Sequence, residues 1–85
     1  MEIYYSSKFA REYKKLPLKI KKRAEAAEKL FRENPLHPKL RTHKLKGRLK
    51  EFWSFSIDEK YRIIFEFQQK NLIWFHSVGD HSIYD

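Results

Sequence analysis

The hydrophobic residues of this chain change their period halfway along, and that change constrains the fold more than any other feature. Phe9, Tyr13 and Leu16 recur at i, i+4 and i+7, and Ile20, Ala24, Ala27 and Phe31, with Leu30 beside them, continue the helical stripe. From residue 53 the period becomes two: Trp53, Phe55 and Ile57 alternate with Ser54 and Ser56, and Tyr61, Ile63, Phe65 and Phe67 alternate with Arg62, Ile64 and Glu66. Pro35 and Pro38 in "NPLHP" divide the two regimes, because neither can continue a helix.

The remaining elements follow from local signals. Glu2 to Tyr5 alternates and predicts a first strand, and Ser6 or Ser7 is placed to cap the helix after it. Pro17 breaks that helix or opens a second one, so two helices form a hairpin. Residues 72–78, "LIWFHSV", are apolar on both faces, as a central strand requires. Asp58 to Lys60 makes one turn, Gln68 to Asn71 another, and Gly79 ends the last strand. The expected fold is α+β, one domain over residues 1–85, with an N-terminal strand and an αα-hairpin laid on a small, largely antiparallel sheet.

Register has a consequence for function. With Gln69 and Lys70 as the turn pair, Arg62 faces Ser77 and shares a sheet face with residues 79 and 81. Gly79 then offers the bend that returns "DHSIYD" over the sheet, toward Arg62.

Charge is divided as sharply as period. Residues 1–50 carry 16 Lys/Arg against 5 Asp/Glu, while residues 51–85 carry 3 against 6. Between Lys39 and Lys50 lie six cations and no acid: Lys39, Arg41, Lys44, Lys46, Arg48 and Lys50, with His37 and His43 alongside. Such a block is either a solvated face or a polyanion grip. If all six met phosphates, affinity would fall by about three orders of magnitude over a fourfold rise in salt. RNA, DNA, the ribosome or an acidic protein are the matching partners. Absence of cysteine fits a reducing cytoplasm. No signal peptide or membrane span is expected, and hence no membrane partner.

The candidate chemical groups each have a plainer alternative. His43 stands among like charges, which favours a neutral, base-competent ring; as a lone residue it is equally an idle surface histidine. Arg62 interrupts an aromatic strand, where it either meets a ligand or pairs with Glu66. His76, inside the most apolar strand, is read as a hydrogen-bonded, partly buried residue, and His37 as a loop residue. His81 and Tyr84 lie in a tail whose default is fraying, yet they are two reactive side chains just past a strand-ending glycine. Trp53 and Trp74 are core anchors before they are base-stacking platforms.

Metal and nucleotide chemistry find no motif: the chain has no HExxH, no usefully spaced carboxylates, no glycine-rich loop and only two glycines. No cofactor or metal is expected. A metal-free reaction on RNA requires less. The 2′-hydroxyl attacks the adjacent phosphorus once a base takes its proton, a cation steadies the phosphorane, and an acid protonates the departing 5′ oxygen. Histidine, arginine and tyrosine suffice.

The order strand, helix hairpin, "HKLKGRLKEFWSFS", "YRIIFEF" and "GDHSIYD" resembles the RelE/ParE superfamily of type II toxins over essentially the whole chain. It lies nearest the ribosome-dependent mRNA interferases of the YafQ and YoeB kind. The resemblance implies a RelE-like ribonuclease-type fold, with His43 as base, Arg62 on the scissile phosphate, His81 in proton transfer and Tyr84 closing the site. Lys39, Arg41, Lys44, Lys46, Arg48 and Lys50 would then hold mRNA and the ribosomal A site. Where the YafQ branch has a histidine and an aspartate before "IIF", this chain has Ile57 and Tyr61, as in the arginine-bearing branch. The resemblance also implies an acidic antitoxin as partner, with operator DNA bound only through it. His81 as base with His43 orienting the nucleotide, a gyrase inhibitor that cuts nothing, and a degenerate antitoxin- or RNA-binding module are the alternatives, the last two because one scaffold can host several activities.

Overall fold

Ser6 shows how the chain's first turn is built. Its hydroxyl accepts from the Phe9 N–H at 2.9 Å, capping the helix, and donates to the His76 carbonyl at 2.6 Å, so the cap also ties the helix to the last strand. In the computed structural model, which describes residues 1–84 except for the Tyr84 side chain, β1 (Glu2–Tyr5) leads into α1 (Ser7–Lys14) and α2 (Leu18–Glu33). There follow β2 (His43–Lys44), β3 (Trp53–Ser56), β4 (Arg62–Gln69) and β5 (Leu72–Gly79), with 3-10 turns at Pro38–Leu40, Gly47–Leu49 and His81–Tyr84. Pro17 stands at the N-cap of α2, so it opens the second helix, and Asn34 closes it in extended conformation.

The strands form one sheet in the order β1-β5-β4-β3-β2. Only β1 runs parallel to its neighbour, and the other pairings are antiparallel. The expected architecture is therefore present, with one addition: His43 and Lys44 form a short edge strand against Ser54 and Trp53.

The helices cover one sheet face. Phe31 of α2 is fully buried, stacked on Phe55 at 4.7 Å and edge-on to Phe65 and Phe75 at 4.9 and 5.5 Å. Phe9, Leu16, Ile20, Ala27, Leu40, Ile63, Ile73 and Val78 complete this core. Beyond the end of β1, α1 takes over the edge of β5: the Glu12 carboxylate accepts the Val78 N–H at 3.0 Å. A backbone donor that would otherwise face an open edge is thereby satisfied.

The expected β4–β5 register is corrected. Lys70 and Asn71 make the turn, Gln69 pairs with Leu72, and Arg62 stands opposite Gly79 rather than Ser77. Asn71 holds a left-handed φ of 65°, which asparagine tolerates and which places the turn one residue later than expected. Two irregularities accompany this. Gln68 on β4 and His76 on β5 are each passed over by the pairing, so the register shifts by one and then shifts back.

Candidate active site

The sheet face turned away from the helices carries the candidate groups, and the ladder decides their order. Directly paired residues project to the same side, so β2, β3, β4 and β5 contribute the row His43, Ser54, Ile64 and Ser77. The next row is Ser56, Arg62 and Gly79. His43 and Arg62 therefore share one face. Their backbones lie two strand spacings and one two-residue step apart, about 12 Å.

His43 is exposed, and its Nδ1 lies 3.0 Å from the Arg41 carbonyl. A carbonyl only accepts, so Nδ1 carries the proton and the neutral ring keeps its lone pair on Nε2, directed away from the backbone. The loop before it is held by the Thr42 hydroxyl donating to the Pro35 carbonyl at 2.5 Å and by His37 Nδ1 accepting from the Lys39 N–H at 3.1 Å. His37 is thus the loop residue expected.

Arg62 is half-buried and does not pair with Glu66, which instead accepts from Gln68 at 2.8 Å. Its Nη1 donates to the Asp58 carbonyl and, at 3.3 Å, to the Tyr61 carbonyl. These bonds fix the guanidinium on the β3–β4 turn and leave Nε and Nη2 without protein partners among the described residues. The turn is itself organised by Asp58, whose carboxylate accepts from the Lys60 and Tyr61 N–H groups at 2.9 and 2.7 Å and pairs with Arg23 at 3.2 Å. Partial burial raises the Asp58 carboxyl, but the Tyr61 and Lys60 amides and Arg23 outweigh it, and the group lies below the usual carboxylate range. A turn is expected here from the sequence, but its seating of Arg62 is not. An aspartate heading "DEKY" was the available signal.

His81 follows Gly79 by two residues and opens the 3-10 turn His81–Tyr84. The tail does fold back: a Cβ on Gly79 would meet Ile83 Cγ2 at 2.5 Å. Gly79 serves by leaving room for Ile83, not by adopting a left-handed φ. The Ser82 hydroxyl and N–H both donate to Asp80, at 2.8 and 3.0 Å, which fastens the start of the turn and lowers the Asp80 carboxyl. His81 is exposed within this fold-back, two residues from the position facing Arg62. The Tyr84 side chain lies outside the described residues.

All six cations from Lys39 to Lys50 are exposed, and the ion pairs Lys8–Glu12, Arg23–Asp58 and Arg32–Glu28 involve none of them. Lys39 and Arg41 line a cleft of about 160 Å³ with Ser56, Ile57, Asp58 and Glu59, which joins the start of the basic loop to the turn that seats Arg62. Gly47 takes a φ of 69°, the left-handed conformation that lets the loop turn back between Lys46 and Arg48. Among the described residues no three His, Asp or Glu side chains gather as a metal-holding group, and no helix is long and apolar enough to cross a membrane.

The two tryptophans part company. Trp53 packs against the core on the helix-covered side, meeting Phe67 edge-on at 5.3 Å. Trp74 pairs with Glu66 on the opposite face, 5.5 Å from the His76 ring, so the expectation that it anchors the core is corrected.

Comparison with known proteins agrees with this architecture. The family model described as the bacterial toxin of type II toxin–antitoxin systems, YafQ, matches residues 1–84. YafQ from E. coli strain BL21(DE3) superposes with a TM-score of 0.80 at 21% identity, covering 98% of this chain and 96% of that one. A YoeB/ParE toxin from Agrobacterium tumefaciens gives a TM-score of 0.80 at 13% identity, covering 95% and 99%. The E. coli DinJ–YafQ toxin–antitoxin complex gives 0.78 at 21% identity, covering 96% and 93%. No curated protein matches the sequence.

Proposed function

From the premise that this chain belongs to the YafQ family of toxins of bacterial type II toxin–antitoxin systems, we propose that it is a metal-independent endoribonuclease that cleaves mRNA on the ribosome and so arrests translation. The observation that carries this reading is the pair of adjacent rows that puts His43 and Arg62 on the sheet face turned away from the helices, with the tail folded back beside Arg62's partner Gly79.

In the proposed reaction, His43 Nε2 removes the proton from a 2′-hydroxyl. The oxygen attacks the neighbouring phosphorus, and Arg62 donates from Nε and Nη2 to the non-bridging oxygens as their charge grows. His81 protonates the 5′ oxygen as its bond to phosphorus breaks, which leaves a 2′,3′-cyclic phosphate and a 5′-hydroxyl. Tyr84 closes the site from the tail. Lys39, Arg41, Lys44, Lys46, Arg48 and Lys50 hold the flanking phosphates of mRNA and the A site.

The whole of residues 1–85 acts as one toxin domain in the cytoplasm. An acidic antitoxin neutralises it by covering the cationic surface, and operator DNA is met only through that partner. The E. coli relative's complex with DinJ and the +8 net charge of this chain support such a partner. Induced expression followed by mapping of transcript 5′ ends tests the reading. Abrupt 5′ ends within coding regions, lost in Arg62→Ala, are expected; DNA-damage signalling with intact transcripts would overturn it.

A further inference from the structure

The same sheet face continues past the reactive rows into an aromatic patch that the proposed chemistry does not use. Trp74 and His76 project from β5 to this side, their ring centroids 5.5 Å apart and nearly perpendicular. Phe52, two residues beyond the last cation of the basic loop, reaches across to His76 at 4.9 Å. All three are half-buried, and a surface depression of about 370 Å³ bounded by Tyr4, Gln68 and Trp74 leaves the indole accessible. Trp74 and His76 are two residues apart on β5, so strand alternation carries both rings to this side. From Trp74 to the row of His43 and Ser77 is three residues of strand, about 10 Å.

Charge around the patch gives it a direction. The basic loop runs directly into Phe52, whose carbonyl accepts the Leu45 N–H at 2.9 Å, and its cations Lys46, Arg48 and Lys50 are exposed, while Glu66 stands opposite Trp74. A nucleic-acid strand crossing this face keeps its phosphates on the basic loop and away from the Glu66 carboxylate, which turns its bases inward, onto the rings. Burial, with Lys8 adding to it, holds the His76 imidazole below its ordinary value, in keeping with an uncharged ring in an aromatic cluster.

We propose that Trp74, His76 and Phe52 form a stacking platform for unpaired RNA bases next to the reacting phosphate, with the basic loop carrying the same strand's backbone. The direction of the strand rests on the endoribonuclease reading; the platform itself is a binding site and is testable without cleavage. The probe is a roughly ten-residue 2′-O-methyl oligoribonucleotide of mixed sequence, a length suited to a single-strand groove, compared with its abasic counterpart. Lacking a free 2′-hydroxyl, neither can be cut by internal attack.

Binding is read by fluorescence anisotropy at several salt concentrations. The wild-type protein should hold the base-bearing oligomer about tenfold or more tighter than the abasic one, as stacking on even one aromatic ring implies. Trp74→Leu should erase most of that difference while leaving abasic binding and the salt slope unchanged, and Trp74→Phe should restore part of it. Trp74 lies outside the buried core cluster, and circular dichroism verifies that each variant is folded. Equal affinity for the two oligomers in the wild type, or equal loss for both in Trp74→Leu, overturns the platform. That failure leaves mapped transcript ends untouched, and failure of mRNA cleavage leaves base-dependent binding standing.

Discussion

Ile83 lies so close over Gly79 that any side chain there would drive its Cβ to within 2.5 Å of the isoleucine Cγ2. Since Gly79 faces Arg62 across the ladder, this contact sets where the tail returns relative to the guanidinium. Gly79→Ala should push the tail away, cut single-turnover cleavage at least about tenfold and cost about 1 kcal/mol or more of stability, the usual penalty for overpacking. Single-turnover rates with thermal melts check both, and a variant as active as the wild type would show that the fold-back is not needed for cleavage.

Asp58 is the positioning residue for Arg62, because its carboxylate shapes the turn whose carbonyl receives the guanidinium. Asp58→Ala should lower stability by about 1–2 kcal/mol, the scale of a lost charge-assisted cap, and should reduce cleavage rate more than RNA affinity. The pH dependence has a definite sign. The folded carboxyl lies below its ordinary value of 3.8, so its contribution is full above that value and is lost as pH falls through the lower folded one. Urea melts across the acid range should show stability declining there in the wild type and less steeply in Asp58→Asn.

The two histidines should separate by pH. A base must be deprotonated to act, so His43→Gln should abolish the acidic limb of the single-turnover profile, whereas His81→Gln should abolish the alkaline limb. Exchanged limbs would assign the base to His81 and leave His43 to orient the nucleotide.

Neutralising Lys44, Lys46, Arg48 and Lys50 together should weaken RNA binding and flatten the plot of log affinity against log salt. The slope should fall by about 0.7 for each charge that meets a single-strand phosphate. Residual cleavage at saturating enzyme should survive, because none of the four is assigned a proton or the scissile phosphate. An unchanged slope in a titration of the quadruple variant would identify the run as a solvated face.

How much of this was legible in the chain can be followed through particular residues. Ser6 as cap, Pro17 as the start of α2, the stop at Asn34 and the alternation through Phe55 and Phe65 all rest on contacts within a few residues, and each stands in the fold as expected. The cationic run was visible because charge needs no fold to be counted. What stayed hidden depends on pairings between distant segments. One left-handed residue, Asn71, moved the hairpin turn; two bulges, at Gln68 and His76, shifted the rows within it. The closure of the β5 edge by Glu12 and the separation of Trp74 from the core arise the same way. Periodicity and capping are properties of local backbone geometry, so the amino-acid sequence alone determined the elements and their buried stripes. Which functional side chains share a row is set by register, a relation among strands far apart in the chain, and only the assembled sheet decided it.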